Sequence, residues 1–135
     1  MCCGNENNAD RSCCLSELIR EIVNLQNMDA DTCCSEGCDK PFLGPTLSCE
    51  CYNTRPLSFY NCQSGELWNI QYTINETTAT STVFRAEKVD NCCCTCRILI
   101  DNGDDTYTAT RQFFTIDLKC VSALQCHPDV FVDLC

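Results

Sequence analysis

The chain has little histidine, few basic residues and no long apolar run. Nine Lys and Arg oppose nineteen Asp and Glu, which gives a net charge of −10. Because such a surface repels nucleic acid and anionic membranes, we expect neither as a partner. No stretch approaches the about 18 consecutive apolar residues of a membrane-spanning helix. The N-terminus lacks the basic and apolar segments of a secretory signal, so synthesis without a signal peptide is expected.

The scarcity of histidine limits the catalytic chemistry that the sequence can support. His127 is the only histidine, and a thiol nucleophile requires a neighbouring base. It precedes Pro128, which restricts its backbone, so a solvated turn residue is the favoured interpretation. No catalytic residue is predicted, and the chain is not expected to be an enzyme.

Metal-binding patterns are also weak. A structural zinc site needs matched Cys or Cys/His pairs at close spacing, whereas the short cysteine spacings here have no matching partner. The carboxylates of Asp101, Asp104 and Asp105 lack the ligand spacing of a calcium loop, so they are expected to form a solvated turn. No metal or other cofactor is predicted, although a cysteine-rich metal-binding protein remains the main alternative function.

Cysteine is the residue that the chain has in excess. Seventeen of 135 residues are cysteine, above the roughly 8–10% that marks a disulfide-built chain. The odd count leaves at least one thiol for a partner outside the molecule. Adjacent cysteines on a strand point to opposite faces, so one sulfur can bond internally while the next faces outward. We therefore expect copies of the chain to be joined by disulfides, whereas a secreted disulfide-rich binding module would be a monomer.

The cysteines divide into two groups by their place in the sequence. Those on the arm, at the helix start, in the 33–34 pair and at the C-terminus are candidates for intermolecular disulfides: Cys2, Cys3, Cys13, Cys14, Cys33, Cys34 and Cys135. The others are candidates for intramolecular or lattice disulfides: Cys38, Cys49, Cys51, Cys62, Cys92, Cys93, Cys94, Cys96, Cys120 and Cys126. Sequence alone does not pair them.

Hydrophobic periodicity predicts a mainly β (α+β) domain with an N-terminal amphipathic helix and an antiparallel β-sandwich or barrel-like body. Residues 1–12 are expected to form a flexible cysteine-bearing arm, and residues 13–135 a single cysteine-rich domain. Apolar residues recur at helical spacing over about 13–28, and Ser12 is a candidate N-cap. The β-rich part covers 47–135, where apolar residues alternate with period two.

Individual strands and one hairpin are predicted within the β-rich part. The turn Asp101-Asn-Gly-Asp is typical of a hairpin, because Asn-Gly supplies positive φ angles. Separate strands are expected after it at 106–110 and 112–118, followed by strands at 121–124 and 130–134. The sequon at Asn75 is discounted, and the Thr-rich run 77–82 suits an exposed strand or loop.

Several segments in order along the chain resemble the spore coat Y/Z family of endospore-forming bacilli, which includes an exosporium protein. The most specific stretch runs from Asp117-Leu118 through Cys120 to Gln125-Cys126. The other matching segments are Glu36 to Gly44, Asn53 to Pro56, Val83 to Asp90 and Arg97 to Leu99.

This resemblance implies a structural protein of the outer spore layers, coat or exosporium, that assembles into a lattice or filament hardened by disulfides into a resistant barrier. It implies a homo-oligomer, as a ring or lattice with hexamers among the candidates, and other coat or exosporium proteins as partners. It also implies synthesis in the mother-cell cytoplasm, with oxidation on assembly and lysis. That order reconciles a disulfide-level cysteine content with a reducing compartment.

Overall fold

The computed structural model describes residues 14–32 and 52–134. Within these ranges, one α-helix is followed by seven strands, which confirms a mainly β domain with an N-terminal helix. The predicted arm at 1–12, its Ser12 cap and the cysteines of 33–51 lie outside the described residues. The elements are α1 (Cys14–Thr32), β1 (Leu57–Asn61), β2 (Ile70–Ile74), β3 (Thr77–Ser81), β4 (Phe84–Asp90), β5 (Cys93–Asp101), β6 (Tyr107–Asp117), a 3₁₀ turn (Leu118–Cys120) and β7 (Val121–Cys126).

The strands form two antiparallel sheets that do not close into a barrel. Five strands pair in the order β6-β5-β4-β1-β7, and β2 pairs with β3 in a separate hairpin. The hairpin turns at Asn75 and Glu76, with φ angles of 50° and 67°. Two consecutive residues of positive φ match the twist of flanking strands, so the discounted sequon is part of a tight turn.

The main core lies between one face of the five-stranded sheet and the helix and hairpin that cover it. Ile19 and Ile22 of α1 are buried against Phe59 and Phe84 of the sheet. Phe84 also contacts Phe114 edge-on, with 4.6 Å between ring centroids, a favoured geometry for aromatic pairs. The helix therefore buries one apolar stripe, as its periodicity predicts, and the alternating strand residues supply the opposing surface.

A smaller apolar cluster lies at Val83, Leu99 and Val132. The C-terminal segment is fastened by Asn53, whose side-chain amide donates to the Val132 carbonyl (2.7 Å) and accepts from the Val132 N–H (2.8 Å). The predicted strand at 130–134 is wrong. Backbone pairing in this segment is limited to a bridge between Val130 and Thr54, because the Asn53 side-chain amide binds the N–H and C=O of Val132 instead.

A bulge in β4 links the helix to a charged network on the other sheet face. The register shifts between Ala86 and Lys88, and the Ala86 carbonyl accepts a hydrogen bond from the Gln26 side chain of α1 (2.8 Å). Glu87, the extra residue, binds both Arg85 (2.7 Å) and Arg97 (2.8 Å). The bulge thus supplies an acceptor to α1 and a carboxylate to two arginines.

Several predicted boundaries and one predicted turn differ from the structure; β7, for example, runs to Cys126 rather than ending at 124. The helix continues to Thr32 rather than ending near 28. The separate strands predicted at 106–110 and 112–118 form the single strand β6, with an irregularity opposite Arg97–Leu99. The hairpin after β5 is where it was predicted, but positive φ angles fall at Gly103 and Asp105 rather than at an Asn-Gly pair, since the connection from Asp101 to Tyr107 is longer than a two-residue turn.

Candidate functional site

The cysteine triplet region shows how strand geometry separates neighbouring sulfurs. Cys93 begins β5 and is exposed, whereas Cys94 and Cys96 are fully buried in the main core. Successive side chains of a strand point to opposite faces, so the two even-numbered residues face inward together. Cys92 precedes β5 in the turn after β4 and is disulfide-bonded.

The two buried sulfurs form a dithiol rather than a disulfide. Their Sγ atoms lie 3.4 Å apart, and a disulfide requires about 2.05 Å. Side chains two residues apart on a strand start about 6.6 Å from each other, whereas bonded cysteines need Cβ atoms within about 4.5 Å. The hydrogen bond to Cys94 and burial together raise the pKa of the Cys96 thiol well above its usual value of 9.0. A protonated, buried thiol is a poor nucleophile.

Four cysteines from three parts of the chain lie at one end of the large sheet, which we call the cysteine end: Cys62, Cys92, Cys93 and Cys120. Cys120 is disulfide-bonded, and its carbonyl accepts from the Cys62 N–H at 3.0 Å. The Cys92 carbonyl accepts from the Leu118 N–H at 2.7 Å, which places the β4–β5 turn beside the 3₁₀ turn. Tertiary structure therefore gathers residues that are up to 58 positions apart in the sequence.

Exposed thiols also occur away from the cysteine end. Cys14 lies at the start of α1, and Cys126 lies at the end of β7. Partial burial raises the pKa of the Cys126 thiol; the Arg55 guanidinium opposes this shift and Asp129 adds to it. Arg55 is paired with Asp129 through two hydrogen bonds of 2.7 and 3.0 Å. Cys126 is therefore accessible but is mainly protonated at neutral pH.

Of the cysteines predicted for intermolecular bonds, Cys14 is described, and it is exposed. The others of that group lie outside the described residues: Cys2, Cys3, Cys13, Cys33, Cys34 and Cys135. So do Cys38, Cys49 and Cys51 of the second group.

His127 contacts a serine hydroxyl that also bonds a backbone carbonyl. Its Nε2 lies 2.8 Å from the Ser58 hydroxyl, which itself donates to the Thr82 carbonyl at 2.8 Å. Since the hydroxyl proton is used in that bond, the Ser58 oxygen is the acceptor and His127 is assigned the tautomer with its hydrogen on Nε2. His127 is half-buried rather than the solvated turn residue that was predicted, and its partner Ser58 is buried.

The acidic turn and the metal patterns have simple structural descriptions. Asp101 accepts from the Gly103 N–H (2.9 Å), and Asp104 accepts from the Thr106 N–H (3.2 Å). The hydrogen bond from the Thr106 hydroxyl lowers the pKa of Asp104. Within residues 14–32 and 52–134, no three His, Cys, Asp or Glu side chains are grouped as metal ligands. In the same ranges, no helix has the length and apolarity needed to cross a membrane.

The fold and the distribution of thiols define a class: a small mainly β domain with a covalently bonded cysteine end, a reduced core pair and further thiols at its surface. Among protein families, the model of spore coat protein Z matches residues 1–113. The chain therefore belongs to the spore coat protein Z family, a family of structural proteins of the spore coat. No curated protein and no solved structure matches the chain.

Proposed function

We propose that this coat-family chain assembles with copies of itself into an ordered layer or filament and that intermolecular disulfides then harden the assembly into a resistant barrier. The observation that carries the proposal is the exposure of Cys14, Cys93 and Cys126 on three separate elements. A subunit with several surface thiols is multivalent, and each first bond raises the effective concentration for the next.

The proposal includes a place and a time for oxidation. The chain is made in the mother-cell cytoplasm, joins the outer coat or exosporium, and is oxidised when assembly and lysis expose it to an oxidant. Each disulfide joins two thiols with loss of two protons and two electrons to that oxidant. Rings or lattices, hexamers among them, and contacts with other coat or exosporium proteins belong to the same proposal.

In this proposal the buried dithiol stays reduced and the fold stays intact during oxidation. Cys94 and Cys96 occupy the core without solvent contact, so an oxidant reaches the surface thiols first. Cross-linking then uses sulfurs whose bonding requires no change in the packing of the sheet.

Isotope mixing distinguishes bonds between chains from bonds within a chain. Unlabelled and 15N-labelled protein are mixed under reductant and then oxidised, and the disulfide-linked peptides are mapped by mass spectrometry. We expect mixed-isotope links at Cys14, Cys93 or Cys126 and none at Cys94 or Cys96. Electron microscopy should show regular assemblies that reductant with denaturant dissolves. Soluble monomers on a non-reducing gel would refute the proposal.

A matched pair of variants separates surface from core sulfur. Replacing the exposed Cys14, Cys93 and Cys126 by serine should remove the mixed-isotope links at those positions and lower the yield of covalent oligomers. Replacing Cys94 and Cys96 by alanine should lower stability but leave those links in the folded fraction. Equal covalent yields from the wild type and the surface variant would show that these three thiols do not carry the cross-links.

A further inference from the structure

Strand β7 is an uncharged edge of the five-stranded sheet. Among the described residues it pairs only with β1. Its sequence, Val-Ser-Ala-Leu-Gln-Cys, has no charged residue, proline or glycine. Edges of soluble proteins usually carry such residues or bulges, because a bare edge is a template for another strand. The irregularity of β7 lies only at its start, opposite Tyr60–Asn61.

The other edge of the sheet, β6, is protected. It contains the charged Arg111 and an irregularity opposite Arg97–Leu99. The Gln112 side chain reaches the separate hairpin, donating to the Thr73 carbonyl (2.6 Å) and accepting from the Thr73 N–H (3.0 Å). The two edges therefore differ, and β7 is the one suited to pairing.

Hydrogen-bond alternation shows which β7 groups are directed away from the sheet. The His127 N–H donates to the Pro56 carbonyl at 2.9 Å, so residues two and four positions earlier also face β1. The backbone groups of Leu124 and Cys126 consequently point outward. Phe59 lies opposite Leu124, and its carbonyl accepts a hydrogen bond from the Trp68 N–H (2.8 Å) on the side of β1 that faces away from β7.

We propose that β7 pairs antiparallel with β7 of a second copy across a two-fold axis at Gln125. This inference rests on the proposed self-assembly and specifies one contact between its subunits. Leu124 of each copy lies opposite Cys126 of the other, so all four outward residues exchange hydrogen bonds. A shift by two residues would bring Pro128, which has no N–H, or the irregular start of β7 into the ladder.

Charge favours a second copy as the occupant. Two chains of net charge −10 repel each other, and close contact is least costly where neither surface presents a carboxylate. No residue of β7 carries a carboxylate, and Asp129, which lies near Cys126, is paired with Arg55 at 2.7 Å. The contact is isologous and closes as a dimer, so further growth of the assembly falls to the surface thiols.

An introduced thiol tests the register. In Gln125→Cys, the two new sulfurs face each other at a non-hydrogen-bonded pair, where Cα atoms are about 4.5 Å apart, within the range of a disulfide. The control is Ala123→Cys, which is equally exposed on the same face. In the proposed dimer the two copies of position 123 are offset by about 13 Å along the strands.

Both variants are oxidised mildly from the reduced state, and linked peptides are mapped. We expect a symmetric link at position 125 in at least tenfold higher yield than at position 123. Equal yields would overturn the proposed register. A link from position 125 to a cysteine of the same chain would assign the edge to another segment of the protein and overturn the dimer.

A second measurement avoids sulfur chemistry. Gln125→Lys places two like charges opposite each other. Sedimentation under reductant should therefore show a dimer dissociation constant about fivefold higher than that of the wild type. Ala123→Lys should have little effect, and unfolding curves check that both variants fold. No difference between them would overturn the contact. If these tests fail while oxidised assemblies still dissolve in reductant, the proposed function stands without this contact; monomers under oxidising conditions would refute the function itself.

Discussion

Replacing Glu87 should destabilise the domain more than any exposed acidic substitution. Its carboxylate lies between Arg85 and Arg97, which are directly opposed partners on β4 and β5. The side chains of Arg85, Arg97 and Glu87 are 5%, 16% and 22% exposed. Like charges directly opposite on a sheet repel, so this carboxylate converts an unfavourable pair into a bridged network.

The magnitude follows from the loss of one shared partner. Removing one member of a fully buried ion pair costs about 3–5 kcal/mol. Because a fifth of the Glu87 side chain contacts solvent, water can solvate the arginines in part, and we expect about 2–4 kcal/mol for Glu87→Ala. Glu87→Gln keeps an acceptor but loses the charge, so about half of that loss is expected.

Denaturant unfolding under reductant, followed by the fluorescence of Trp68, the only tryptophan, measures these differences. The matched control is Glu66→Ala, which removes an exposed carboxylate and should change the free energy of unfolding by less than about 0.5 kcal/mol. Equal stability of Glu87→Ala and Glu66→Ala would refute the bridging argument. Equal stability of Glu87→Gln and the wild type would show that the charge is irrelevant.

Three further predictions concern the core. Brief alkylation of the native, reduced protein should modify Cys93 well before Cys94 or Cys96, as peptide mass spectrometry can show, and denaturation should abolish the difference. The folded-state pKa of Cys96 is raised above the unfolded value near 9.0, so its stabilising contribution is complete below pH 9 and is lost as the pH rises through the folded pKa. The free energy of unfolding should therefore fall more steeply above pH 9 in the wild type than in Cys96→Ala. Parallel curves for the two proteins would contradict this. Gln26→Leu leaves the Ala86 carbonyl and the Arg55 N–H without partners and should lower the free energy of unfolding by about 2–3 kcal/mol. A loss below about 0.5 kcal/mol in thermal unfolding would show that water replaces both bonds.

Local patterns predicted the secondary structure well where one period dominates. The 3.6-residue repeat of α1 and the period-two alternation of the β-rich part depend only on neighbouring residues, so both are visible without a fold. The boundary errors have nonlocal causes. β6 passes through the irregularity at Thr110 because that hydroxyl donates to the Ile98 carbonyl (2.7 Å), a partner that the sequence cannot identify.

The candidate site was less predictable. Sequence suggested that adjacent cysteines face opposite ways, and the contrast between exposed Cys93 and buried Cys94 agrees with that geometry. It did not indicate that Cys94 and Cys96 would remain a reduced pair in the core. Nor did it indicate the bulge that places Glu87 between two arginines, because bulges depend on how two strands are paired.

Composition alone determined that sulfur dominates the chemistry of this acidic chain, since a count of seventeen cysteines requires no structure. Only the tertiary structure decided which sulfurs meet. Strand order brings Cys62, Cys92, Cys93 and Cys120 to one end of the sheet and places Cys126 on β7, the last strand of the sheet among the described residues. Distances between residues far apart in sequence are set by strand pairing, and pairing is specified by the packing of the whole core rather than by any local pattern.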